Sequence, residues 1–262
     1  MNQSSNYRLP ITKFHDIQSS NDLLDRSNHY SLTVQSIILW FKHHLKPNRS
    51  IPITPWRASS TWDLGLAKED IERFFILIFG LTIFGLGESL LVIASLGNSP
   101  WVVLAEGISK NSPFNIGQAT FLTSLVVLLL WIPLKQRPGF GTVMNMIFIA
   151  AAIELGISIF PKTENLIFNL IYIFLGIGLV GTGSALYITC GLGTGPRDGL
   201  MTGLHYKTGI RVGRVRLGIE VLALTAGVLL GGTVGIGTAL FALLIGQSVA
   251  VSLGVVARLT SE

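Results

Sequence analysis

Six stretches of this 262-residue chain are long, apolar and nearly free of charge: about 73–95, 114–134, 140–160, 166–190, 214–231 and 237–257. A helix needs roughly 20 mostly apolar residues to cross a hydrocarbon core of about 30 Å. Core helices of water-soluble proteins rarely run so far without a charge. The pattern therefore predicts an all-α polytopic membrane protein with six transmembrane helices, and it makes the lipid bilayer the first partner.

Charge is scarce and uneven. Charged residues make up 13% of the chain, about half the soluble average of about 25%. Residues 1–73 nevertheless hold nine of the 19 Lys and Arg and seven of the 14 Asp and Glu. Residues 1–70 thus read as a polar, largely disordered cytoplasmic segment. Within it, 31–46 ("SLTVQSIILWFKHHLK") sets Ile37–Phe41 beside basic residues, as an interfacial helix would. The first 30 residues hold no apolar run, so no signal peptide is expected. The single Cys190 excludes an intrachain disulfide and reads as a small packing residue.

Orientation follows from the basic residues. The N-terminal segment, the loop with Lys135 and Arg137, the region from Arg197 to Arg216, and Arg258 together hold 17, whereas the opposite side has only Lys110 and Lys162. The positive-inside rule then places both termini in the cytoplasm of a bacterial plasma membrane.

The chain also resembles itself at a shift of 96 residues. Residues 80–156 laid over 176–252 give 16 identities in 77 positions without a gap, eight of them Gly. Leu96-Gly97-Asn98-Ser99-Pro100 falls on Leu192-Gly193-Thr194-Gly195-Pro196. The units are 71–160 and 161–262, with three spans each. Two tandem units with an odd number of spans sit in the membrane upside down to one another. Such inverted repeats are common among secondary transporters, whose sites lie near the midplane at the repeat interface.

In each unit a Gly-Pro turn is followed by a segment too short to span, 100–110 and 196–207. Proline suits the first helical position, so both segments read as half-helices, capped by Asn98 or Ser99 and by Thr194 or Gly195. A half-helix N-terminus suits an anion, which makes Gly193, Thr194, Gly195, Pro196, Arg197 and Asp198 candidates for solute binding. A second reading stands beside that one. Asp198 caps backbone donors from the third helical position, while Arg197 pairs with Asp198 or holds a headgroup phosphate. Lys207, Arg211, Arg214 and Arg216 form a basic surface for anionic lipid headgroups or for docking an anion.

Three carboxylates fall within the expected spans: Glu88, Glu154 and Glu220. Ionisable groups at that depth are expensive and mark function by default. Glu88 and Glu154 have no basic partner nearby in sequence and suit either a proton carrier or an interhelical hydrogen bond. Glu220 can pair with Arg216 one turn away. Asn145, Gln118 and Gln247 either line the same cavity or join helices. The five His are not spaced as metal ligands, and there is no nucleophile elbow or phosphate loop. No metal, cofactor, nucleic-acid partner or enzymatic activity is expected.

The run "GLGTGPRDGLMTGL" at 191–204, with its echo "SLGNSPW" at 95–101, resembles the YczE-type bacterial integral membrane proteins and, distantly, the YitT group. The resemblance covers about 72–257 and is specific at Gly193, Gly195, Pro196, Arg197, Asp198, Gly199 and Leu200. It implies a polytopic plasma-membrane protein and supplies no substrate. The function expected is secondary transport of a small solute, an anion being one candidate, with a homodimer as a reasonable state. The alternative is a non-transporting accessory or scaffold protein of a membrane complex.

Overall fold

A computed structural model describes Leu39, Lys42, residues 45–65 and residues 68–260. The reading of 1–30 as disordered, and most of the interfacial helix at 31–46, lie outside the described residues. Those residues hold eight helices of ten or more residues and no strand: α1 (Lys68–Ala94), α2 (Pro100–Lys110), α3 (Ile116–Leu129), α4 (Phe140–Ile159), α5 (Leu166–Thr189), α6 (Pro196–Thr208), α7 (Val212–Leu229) and α8 (Ile236–Leu259).

Four of them, α1, α4, α5 and α8, are long and apolar enough to cross a membrane. The other two expected spans differ. In place of 114–134 there is the 14-residue α3, about 21 Å long at 1.5 Å per residue, followed by turns through Pro133. In place of 214–231, α7 has 18 residues but carries Arg214, Arg216 and Glu220.

The two short segments after the Gly-Pro turns are helices, as expected, with N-caps at Ser99 and Gly195. Neither cap uses a side-chain hydrogen bond. The turns before them need positive φ: Gly97 is at 113° and Gly193 at 115°, and Ser95 and Gly191 are at 54° and 69°. Each pair is separated by 96 residues, so the internal resemblance reaches backbone geometry that only glycine adopts freely.

Packing repeats at the same interval. Helices α1 and α5 run antiparallel in close contact. A Cβ added at Gly87 would lie 2.7 Å from the Gly176 carbonyl, and one at Gly183 would lie 2.5 Å from the Gly80 carbonyl. Bare glycine faces let backbones approach this closely. Helix α4 covers α1 at Gly85, and α8 covers α5 at Gly181, again 96 residues apart. The units also exchange contacts. Gly141 N–H donates to Leu192 O at 2.7 Å, and Gly237 N–H donates to Leu96 O at 2.8 Å. The half-helix α2 of the first unit packs at Gly107 on Leu230 and Gly227 of the second, while α6 packs at Gly203 on Leu134 of the first.

Residues 45–65 fall within the segment read as polar and largely disordered, yet they lie against this bundle. Thr54 Oγ1 donates to Thr189 O at 3.1 Å, Trp56 Nε1 to Thr189 Oγ1 at 3.2 Å, and Ala58 N–H to Cys190 O at 2.8 Å. Arg73 is buried and clamps the stretch from α1. Its Nε donates to Trp56 O and its Nη1 to Asp63 O, both at 2.8 Å, and it pairs with Asp70 at 2.6 Å. The physical reason is that Trp and Thr, sparse as they are here, find partners at the helix ends, where backbone carbonyls are left free.

Candidate functional site

The N-terminal turns of α2 and α6 meet over α1. Arg197, second residue of α6, stacks its guanidinium on two rings, 5.6 Å from the centroid of Phe84 and 5.7 Å from that of Trp101. Trp101 is the second residue of α2, so Arg197 and Trp101 hold equivalent places in the two units. No carboxylate lies within 4.0 Å of the guanidinium among the described residues. The expected pairing of Arg197 with Asp198 is thus not formed. Asp198 instead accepts a 2.6 Å hydrogen bond from the Tyr187 hydroxyl, and it ties α6 to α5 rather than capping its own helix.

Several supports fix the α6 N-terminus. Trp131 Nε1, buried, donates to Pro196 O at 2.9 Å, and Thr142 Oγ1 donates to Thr194 O at 2.7 Å. The Asn145 amide lies against Gly195, where an added Cβ would stand 3.2 Å from it. Gly193 packs on Gly139. Gly193 and Thr194 therefore shape the turn, whereas Gly195, Pro196, Arg197, Asp198 and Asn145 border open space.

Glu88 faces the same space. It is 1% exposed, and neither carboxylate oxygen is in good hydrogen-bond geometry with a described residue, although the Ser99 hydroxyl and the Arg197 charge lie close enough to act on it. The buried Ser99 Oγ and Trp101 Nε1, at the start of α2, are also without partners. Buried polar atoms are nearly always hydrogen-bonded, and each left unpaired costs about 1–3 kcal/mol. Of these, Glu88 and Trp101 line the first cavity, while Asn98 Oδ1 and Asn169 Oδ1 are also without partners.

The open space consists of two cavities that share Phe84, Trp101, Asn145 and Arg197. One is a narrow cavity of about 30 Å³, walled by Glu88, Thr120, Ser124, Ile149 and Ile153. The other is a cavity of about 120 Å³, walled by Ser184, Arg216, Glu220, Ile245 and Val249. The second set is the first displaced by 96 residues, position for position. The first has room for a water or two, and the second for a few atoms of a small solute. A guanidinium, a helix N-terminus and ring faces at the junction suit a small anion with an apolar part, and the buried acid in the first cavity can hold a proton.

The remaining candidates lie elsewhere. Glu154 is only half-buried and accepts from Gly117 N–H at 3.3 Å, on an outer groove between α3 and α4. It does not join Glu88, because it lies on the face of α4 turned from α1. Gln118 completes a capping box with Asn115 at the start of α3 and lines the outer groove with Glu154, not the space at Glu88. Lys207, Arg211 and Arg214 are exposed. Arg216 pairs with Glu220 at 2.9 Å, as the spacing predicts.

Glu106 escaped the sequence reading, because it sits in a half-helix rather than a span. Its carboxylate takes hydrogen bonds from Asn98 Nδ2, Thr233 N–H and Thr233 Oγ1, and pairs with Lys110 at 2.7 Å. Burial pushes this carboxyl up, but Lys110 and Thr233 together outweigh burial and leave it below its ordinary value. The i,i+4 spacing of Glu106 and Lys110 was the available signal.

Comparison with known proteins gives kinship without an activity. The model of a family described as "Family of unknown function (DUF6198)" matches residues 71–253. An "Uncharacterized protein" of Haemophilus influenzae is 42% identical over 82% of this chain and 96% of its own length. The "Uncharacterized membrane protein YczE" of Bacillus subtilis is 33% identical over 69% of this chain and 85% of its own. "Uncharacterized protein YyaS" of the same organism is 27% identical over 68% and 91%. No solved structure matches the chain. The resemblance to YczE-type proteins is borne out.

Proposed function

This chain belongs to DUF6198, a family of unknown function, and is similar to a relative named as a membrane protein; from that premise we propose that it is a multi-pass plasma-membrane carrier for a small organic anion. Its two units are inverted repeats, and α3 and α7 complete six spans as the shorter member of each. Both termini face the cytoplasm. The anion binds at Arg197 and the N-terminus of α6, against Trp101 and Phe84, and Glu88 carries the coupled proton.

The single observation that carries this reading is the meeting of two half-helices at Arg197, beside a buried acid that makes no well-formed hydrogen bond to a described residue. The antiparallel α1–α5 pair and the exchanged contacts at an interval of 96 residues support the inversion. Broken helices whose N-termini point at a midplane anion are a recurrent design in carriers with inverted repeats. Alternating access then follows from the two cavities, each opening in turn onto the shared Arg197.

The test uses the purified protein in liposomes loaded with a pH-sensitive dye, challenged in turn with lactate, succinate and inorganic phosphate. The carrier moves protons with at least one of these anions. Arg197→Ala abolishes that signal while eluting as a single folded species. A flat response to all three overturns the carrier reading and leaves an accessory role, whose signature is a co-purifying membrane partner.

A further inference from the structure

The second cavity holds a charged pair for which the Arg197–Glu88 reading has no use. Arg216 Nε donates to Glu220 Oε1 at 2.9 Å, one turn apart on α7. On a plain helix surface such a pair contributes little, and a basic residue there serves mainly to orient the chain. Its place in the fold says more. Arg216 and Glu220 stand where the first unit has Thr120 and Ser124, and they wall the cavity that leads to Arg197. The chemistry of the two chambers is thereby exchanged. The first has hydroxyls and the buried Glu88, while the second has a half-exposed ion pair and Ser184 at the position of Glu88.

We infer that Arg216 is a second anion-binding station in the chamber between α5, α7 and α8, with Glu220 as its resident counter-charge. A solute carboxylate, phosphate or sulfonate takes the place of Glu220 on the guanidinium before it reaches Arg197. Glu220 is bound through Nε, and the guanidinium fork donates its further N–H groups to carboxylate or phosphate oxygens. The side chains of Arg216 and Glu220 are 50% and 30% exposed, so the exchange does not strand a dry charge. The passage onward to Arg197 rests on the carrier reading; binding at Arg216 does not.

Thiol labelling tests the station without any transport. Cys190 is buried and is the one cysteine of the chain. In a Cys190→Ala background, Ser184→Cys places a thiol in this chamber. The probes are a methanethiosulfonate bearing a sulfonate and its counterpart bearing a quaternary ammonium. Both label the thiol. Arg216→Ala slows the anionic reagent about tenfold, the scale of local electrostatic steering, and does not slow the cationic one. Arg216→Lys restores most of the anionic rate. A thiol silent to both reagents overturns the inference, as does an Arg216→Ala effect equal for both. If labelling behaves as stated but no anion moves protons in liposomes, the carrier reading fails and the station stands. If an anion is carried while Arg216→Ala leaves both labelling and uptake unchanged, the station fails and the carrier stands.

Discussion

Arg197 and Trp101 occupy the same place in two copies of one unit, and they touch: the guanidinium carbon of one lies 5.7 Å from the ring centroid of the other. Equivalent positions of a two-fold pair meet only near the axis. Under the inversion proposed above, the charged and the aromatic member of the repeat lie at its centre, and both cavities border that contact.

Arg197→Lys is expected to behave like Arg197→Ala in anion-driven proton movement. A lysine keeps the charge but has no planar face to lie on both Phe84 and Trp101. Uptake of the responsive anion falls at least about tenfold, the effect of about 1.4 kcal/mol of lost binding, while thermal stability in detergent changes little. Wild-type uptake by the lysine variant contradicts the stacking role.

The glycine faces set a stability test. Gly87→Ala drives a methyl into the Gly176 carbonyl and costs about 1–3 kcal/mol, as overpacking does. Gly178 lies on the same α5 helix with open space at its Cβ, so Gly178→Ala leaves the melting temperature unchanged or raises it. Thermal unfolding of the two variants in detergent distinguishes a tight α1–α5 crossing from a loose one.

Glu106 gives a dependence on pH. Its folded pKa is depressed, so its contribution is present above the unfolded value near 4.5 and is lost as pH falls through the lower folded value. Wild type exceeds Glu106→Gln in stability by about 2 kcal/mol at neutral pH, the scale of a charged hydrogen bond. The difference shrinks as the buffer is taken below pH 4.5. A gap that stays constant with acidification contradicts the assignment.

Arg73 anchors the stretch from Trp56 to Asp63. Arg73→Met keeps apolar bulk and removes every donor. Limited proteolysis then cuts between Ile51 and Gly65 at least about tenfold faster, given roughly 1.5–3 kcal/mol for each charged hydrogen bond lost. Unchanged cutting places the anchor elsewhere.

Much of this fold is legible in the chain. Four long helices follow from apolar length, and the Gly-Pro breaks and the interval of 96 residues follow from direct comparison of the sequence with itself. The limits are also physical. Apolar content does not distinguish the helix of α3 from the turns that follow it, because both are apolar and only Pro133 marks the change. Burial of a carboxylate depends on which face a helix turns inward. Glu88 and Glu154 look alike in sequence, yet one is sealed against the half-helices and the other faces an outer groove. The Arg197–Trp101 contact was only half within reach: laying residue 101 over residue 197 pairs the two in sequence, but nothing in the chain says that equivalent positions touch. The Tyr187–Asp198 bond and the Arg73 clamp join elements with no local signature.

The inversion of the two units is the claim on which the rest depends. Ser112 and Thr208 end the half-helix segments, 96 residues apart, and each hydroxyl bonds the carbonyl four residues before it at 2.7 Å. In the Cys190→Ala background, Ser112→Cys and Thr208→Cys are each treated with a membrane-impermeant maleimide in intact cells and after permeabilisation. With the units inverted, residue 112 labels in intact cells and residue 208 only after permeabilisation. Labelling of both from the same side contradicts the inversion.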